Sequence, residues 1–147
     1  MRTSAALKLL NLDDGFHLLV EVFVLGRKHF AVLDTGASRT VFDRTFIAAH
    51  LSPATDHEEL SATTLFSTAA TASATVPLLG IGRLKVTDLP VIVLDLQTVT
   101  DTYSQFGFPA IVAVIGGDIL TRYRAVINYP KLRLFLETAP SAAGPNG

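Results

Sequence analysis

Apolar positions in this chain come in short, β-branched or Leu-rich stretches separated by turn residues, a pattern that predicts strands rather than long helices. Leu7–Leu12 is the first such stretch, stopped by Asp13-Asp14-Gly15. Phe16–Leu25 follows, and Gly26-Arg27-Lys28 turns it into His29–Leu33. Two successive hairpins therefore deliver the chain to Asp34-Thr35-Gly36-Ala37-Ser38. From Thr40 to Leu51 the period changes: Val41, Phe42, Phe46, Ile47 and Leu51 fall near one helical face, and Ser52-Pro53 ends it. Leu60–Val76 carries no charge and consists almost wholly of Ala, Ser, Thr and Leu. Beyond it, Val76–Leu79 and Leu84–Val86 flank the turn Gly80-Ile81-Gly82-Arg83, and Leu89–Leu96 reads as a strongly apolar strand. Gln97–Pro109 is polar and aromatic, and Gly107 and Pro109 break any regular element, so a surface loop is expected there. Ala110–Ile115 is a buried-type strand running into Gly116-Gly117-Asp118, with Asp118 placed as N-cap of a short helix through Ile119, Leu120 and Tyr123. Ala125–Asn128 and Leu132–Leu136 form a last hairpin around Tyr129-Pro130-Lys131. The expected class is mostly β with two short helices.

Composition narrows the functional classes. The 147 residues, 49% of them hydrophobic, suffice for one well-packed domain, expected over residues 1–138, with a disordered tail of Ala, Pro, Gly, Ser and Asn over 139–147. Net charge is −1 and no run of Lys or Arg exceeds two residues, so neither a nucleic-acid partner nor an anionic membrane surface is expected. Cysteine is absent, which excludes disulfides, thiolate metal sites and Cys nucleophiles. No apolar stretch approaches the roughly 18 residues of a membrane-spanning helix. Met1–Leu12 runs into Asp13-Asp14 with no small-residue cleavage site, so no signal peptide is expected and the chain reads as soluble, with its compartment open.

The candidate chemistry centres on Asp34-Thr35-Gly36. An apolar strand feeds Asp34 directly into a glycine-containing turn, which sets one carboxylate at a strand end in apolar surroundings. Taken alone, the tripeptide fits equally well a β-turn in which Asp34 bonds its own backbone. About eighty residues later, Ala113-Val114-Ile115-Gly116 brings a second apolar strand to a glycine, followed by a short helix. The pair of blocks, Ala31-Val32-Leu33-Asp34-Thr35-Gly36-Ala37-Ser38 and Val114-Ile115-Gly116-Gly117-Asp118-Ile119-Leu120, resembles the retropepsin-like aspartic proteases. The resemblance runs from about Leu7 to Leu136 and is specific in these two blocks.

That resemblance implies a closed β-barrel equivalent to one half of a pepsin-type bilobal enzyme. It implies that Asp34 is the catalytic carboxylate of an aspartic endopeptidase that needs no cofactor or metal and acts on peptides or proteins. Thr35 would brace the active-site loops across a dimer, Gly36 would bind substrate backbone through its carbonyl, and Ala37 and Ser38 would complete the loop. Two carboxylates about 3 Å apart share one proton, so the ionised one can activate water while the protonated one polarises the peptide carbonyl. The chain carries a single Asp-Thr-Gly, so the second Asp34 must come from a second copy, and a homodimer is expected. The alternative is a non-catalytic module of the same fold that dimerises or binds extended peptides.

Three departures from the family pattern stand out. Many retroviral enzymes pair an acidic residue two positions after the active-site glycine with an Arg of the later block; here Ser38 and Gly117 occupy those places, so both partners are missing together. The flap of the family falls on Leu60–Val76, with Thr64-Leu65-Phe66-Ser67-Thr68-Ala69-Ala70-Thr71-Ala72-Ser73 at its centre, and no glycine lies between Ala37 and Leu79. A tight hairpin without glycine costs about 1 kcal/mol or more per positive-φ residue, so an open or mobile flap is expected. Gln97–Pro109 is also longer than the family's connection. Other candidates carry less. His17, His29, His50 and His57 are scattered without metal-ligand spacing, and His57-Glu58-Glu59 reads as a solvated loop. Asp95 and Asp101 have no fixed geometry as an acid pair, Phe106 and Phe108 read as loop residues packing on the core, and Gly80-Ile81-Gly82 is a turn.

Overall fold

The computed structural model describes residues 1–51 and 72–140. Alternating burial along the first 33 residues builds three antiparallel strands in sequence: β1 (Arg2–Leu12), β2 (Gly15–Val24) and β3 (Arg27–Leu33). β1 starts five residues earlier than the apolar pattern indicates, because its first residues pair with a strand from the other end of the chain. The β2–β3 turn is the two-residue Leu25-Gly26, with positive φ at both (54° and 76°), the backbone twist that a tight hairpin needs.

β4 (Val41–Asp43) corrects the expected helix over Thr40–Leu51. Val41 and Phe42 pair in parallel with β6 (Leu84–Leu94) and antiparallel with β7 (Ile111–Ile115), and only from Arg44 to His50 does the chain form helix α1. The boundary falls at Asp43, whose carboxylate accepts from Phe46 N–H at 3.1 Å as the helix N-cap and from Leu96 N–H at 2.9 Å. Sheet pairing of a β-branched and an aromatic residue has overridden the helical spacing.

β5 (Ala72–Ile81) and β6 form the longest hairpin, and β5 meets β2 at Phe23–Gly80 and Val24–Leu79. Strands β2, β3, β7, β4, β6 and β5 thereby close into a ring of six, with β3 parallel to β7, and no open edge remains around it. Val20, Val22, Phe42, Leu79, Ile81, Val91 and Ile115 are buried in its core. β1 leaves the ring and pairs with β9 (Arg133–Glu137), which pairs with β8 (Val126–Asn128), so the first and last strands of the described residues lie in one sheet. Thr138 N–H donates to Met1 O at 2.7 Å across that junction.

Gln97–Pro109 is not wholly a loop: Gln97–Ser104 forms helix α2, and with α3 (Gly117–Arg122) the described residues hold three helices, not two. α2 has no side-chain N-cap, and it is held by tertiary contact instead. Tyr103 is buried against Leu19 and Ile111, Thr100 Oγ1 accepts from Ile111 N–H at 3.0 Å, and Phe108 packs edge-on to Phe30 at 5.2 Å. Phe106 stays half-exposed, and Asp95 and Asp101 serve the helix start through Gln97. No helix among the described residues is long and apolar enough to cross a membrane. The expectations for Ser52-Pro53, His57-Glu58-Glu59 and residues 141–147 lie outside the described residues.

His29 on β3 stands edge-on to Phe46 at 5.1 Å, and the same ring meets His50 at 4.7 Å. Burial, reinforced by the positive charges of His50 and Arg27, holds His29 below the ordinary imidazole range. A depressed imidazole binds fewer protons folded than unfolded, so its contribution is complete above about pH 6.5 and is lost as pH falls. In urea denaturation across pH 5–8, His29→Phe is expected to flatten the acid-side decline of the wild-type chain; identical slopes would remove His29 from that role.

Candidate active site

Asp34 follows the last residue of β3, and its N–H donates to Ile115 O at 3.0 Å, which prolongs the β3–β7 ladder by one residue. The backbone at Asp34 is thus fixed to the barrel wall while its side chain is exposed. The next residues fold back on it: Gly36 N–H donates to Asp34 Oδ1 at 2.9 Å and Ala37 N–H to Asp34 O at 3.1 Å. A Cβ at Gly36 would lie 3.3 Å from that carboxylate oxygen, which is why a residue without a side chain suits the position. The turn in which Asp34 bonds its own backbone is therefore real, and it leaves the carboxylate oriented and open to solvent.

The far end of the loop is clamped from the second block. Val114 and Ile115 pair with Val32 and Leu33. Gly117 N–H donates to Ala37 O at 2.7 Å, and a Cβ on Gly116 would come within 2.7 Å of Arg39 O and 2.8 Å of Ala37 O. The two segments pass so closely that only glycine fits at 116. Fully buried Thr40 locks the crossing: its hydroxyl donates to Asp118 Oδ1 at 2.8 Å and accepts from Gly116 N–H at 3.1 Å. Its own N–H donates to Asp118 Oδ2 at 3.1 Å, and its carbonyl accepts from Ile92 N–H at 3.1 Å. Asp118 is therefore not the N-cap of α3. Gly116 holds that position, and Asp118 sits in the first turn, binding Thr40 and Ile119 N–H.

Asp34 and Thr35 border a cleft of about 320 Å³ whose walls include Phe16, His17, Val32, Ile127 and Tyr129. Phe16 and Tyr129 are 68% and 55% exposed. Asp34 is the one carboxylate among the described residues lining this cleft. His17 belongs to the cleft as well, which its isolated place in the sequence does not reveal. Its Nε2 lies 2.9 Å from Asp14 Oδ1 and its Nδ1 2.7 Å from the Tyr103 hydroxyl. The hydrogen bond to His17 holds the Asp14 carboxyl below its usual range. Burial pushes the Tyr103 phenol up, and the charges of Asp14 and Asp34 act in the same direction. Of the expected flap, Ala72 and Ser73 lie in β5, paired with Val93 and Ile92; residues 64–71 lie outside the described residues. Ser38 is exposed at the end of the active-site loop. Among the described residues, no cluster of His, Asp or Glu is arranged to hold a metal ion. One oriented, exposed carboxylate can act as a base or as an acid, but cannot do both at once.

Comparison with known proteins agrees with this architecture. Residues 20–110 match the sequence profile of the aspartyl protease family. Among solved structures, the chain is similar to a retropepsin-like aspartic protease from Rickettsia conorii, with a TM-score of 0.53 and 18% identity over 92% of this chain and 88% of that one. It is also similar to the retroviral protease-like domain of Ddi1 from Leishmania major, with a TM-score of 0.56 and 11% identity over 84% and 90% of the two chains. A search of curated proteins gives no match. The barrel has the retropepsin-like fold.

The Thr40 clamp can be tested directly. Thr40→Val keeps the shape but leaves the Asp118 carboxylate and Gly116 N–H short of a buried partner, and should cost about 2–4 kcal/mol in urea denaturation. Thr40→Ser keeps the hydroxyl and should cost about 1 kcal/mol for the lost methyl. Equal costs would show that the hydroxyl network carries no weight.

Proposed function

The chain belongs to the aspartyl protease family, and on that premise we propose that it is an endopeptidase whose active site forms between two copies, each contributing Asp34. The observation that carries this reading is the Asp34 loop itself: a carboxylate oriented by Gly36 N–H, exposed to solvent, on a backbone tied to β7 and the start of α3. Such a group meets a symmetry mate without rearranging, and the exposed Phe16 and Tyr129 beside it offer apolar surface for a second copy or a substrate to cover.

In this reading two Asp34 carboxylates approach to about 3 Å and hold one proton between them, because like charges at that distance do not both ionise. The ionised carboxylate takes a proton from the attacking water. The protonated one donates to the peptide carbonyl oxygen, and the tetrahedral intermediate collapses as the leaving nitrogen is protonated. Thr35 braces the paired loops, and the carbonyl of Gly36 receives a substrate N–H. The rigid clamp beneath the loop matters here because misplacement by about 1 Å can cost roughly 10²-fold in rate.

Asp34→Asn keeps an oxygen to accept from Gly36 N–H, so folding should be unchanged. Turnover should fall by about 10²–10⁴-fold or more. The wild-type pH–rate profile should be bell-shaped, since the dyad needs one proton in total. Activity followed through a dilution series should track the dimer fraction measured by sedimentation. Full turnover by a monomer would contradict the shared site, and a stable dimer that cleaves no peptide would favour the non-catalytic module.

A further inference from the structure

A second cavity, of about 750 Å³, borders the same loop at its Ser38–Arg39 end and shares no residue with the Asp34 cleft. Leu89 and Pro90 of β6 and Thr121 and Arg122 of α3 form part of its wall. Its charge is unbalanced. Arg39 is exposed and makes no ion pair or side-chain hydrogen bond among the described residues, and Arg122 lies over the Tyr123 ring at 5.6 Å without meeting a carboxylate. Asp118 is the one acid lining the cavity among the described residues, and its two oxygens already accept from Thr40 N–H, the Thr40 hydroxyl and Ile119 N–H. The cavity is thus bordered by two guanidinium groups that make no ion pair among the described residues and by the hydroxyl-bearing Ser38 and Thr121, donor types that a carboxylate accepts from. The apolar wall formed by Leu89 suits the aliphatic stem of glutamate.

We propose that this cavity receives an acidic side chain of the bound peptide, so that the enzyme selects substrates with Glu or Asp near the scissile bond. This rests on the peptidase reading above. Arg39 lies five positions beyond Asp34, and an extended chain covers at most about 3.3–3.6 Å per residue, so the acid lies within about five positions of the cleaved bond. An extended substrate sends alternate side chains to opposite sides, which lets one residue enter the cavity while its neighbours face the Asp34 cleft.

The test uses peptide pairs differing only by Glu against Gln, scanned over the five positions on each side of the cleavage point. At one or more positions the Glu:Gln ratio of kcat/KM should reach roughly fivefold at low salt and shrink at 1 M salt. It should fall to near one in Arg39→Gln/Arg122→Gln and invert toward Lys-containing peptides in Arg39→Glu. The same peptide pairs, fluorescently labelled, are titrated against the Asp34→Asn chain by anisotropy. A charge preference that persists in binding when the wild type cleaves nothing would support the site while removing the peptidase reading. Equal ratios in wild type and arginine variants, or equal binding of Glu and Gln peptides, would overturn the inference. So would an arginine variant that lowers the dimer fraction without moving the ratio, because the arginines would then serve a contact between copies.

Discussion

The hydroxyl of Thr40 is the point on which the rest of the site depends. It is fully buried, and with its own backbone it joins four elements: the end of the Asp34 loop, the Gly116 crossing, the first turn of α3 through Asp118, and β6 through Ile92. Asp118 is partly buried, and a carboxylate drawn from water is costly unless its lone pairs are met; here three donors meet them. Once those bonds are satisfied, no freedom is left in how β4 departs from the loop. Gly116 then sets the closest approach, and Asp34 is held at the other end by the β3–β7 ladder.

This clamp contains no ion pair among the described residues. Where many retroviral enzymes set an acid against an arginine beneath the loop, this chain has Ser38 and Gly117, and neither is charged. A single survivor of that pair would be an unpaired charge beside the clamp, so the joint loss is physically coherent. Backbone contacts from Gly117 to Ala37 and the Thr40–Asp118 bonds supply the rigidity instead. Beside Ser38, Arg39 stands without a counter-charge among the described residues.

Local signals carried much of this into the sequence. The hairpins around Asp13-Asp14-Gly15 and Gly26 were legible because turn residues interrupt clear alternation, although Arg27 and Lys28, read as part of the second turn, are already paired in β3. The Asp34 and Gly116 blocks were legible because each joins an apolar strand to a glycine at a set place. What stayed hidden depends on partners far apart in the chain. β4 is three residues long, too short for a period, and its strand character comes from β6 and β7. α2 lacks a capping side chain and owes its stability to Tyr103 packing on Leu19 and Ile111. Asp118 beside a helix start looks like a cap until Thr40, 78 residues earlier, is placed next to it. The Asp14–His17–Tyr103 chain and the Arg39–Arg122 cavity likewise join segments that no spacing rule relates.

The central claim is that each chain carries half of an acid–base pair. A high-resolution crystal structure of the homodimer, grown with a statine-type transition-state mimic, measures this most directly through the distance between the two Asp34 carboxylates. The expected result is a closest oxygen–oxygen separation of about 3 Å, with the mimic's hydroxyl between them. A dimer that keeps the two Asp34 side chains beyond hydrogen-bond reach, or a mimic bound to a lone chain at Asp34, would contradict the account.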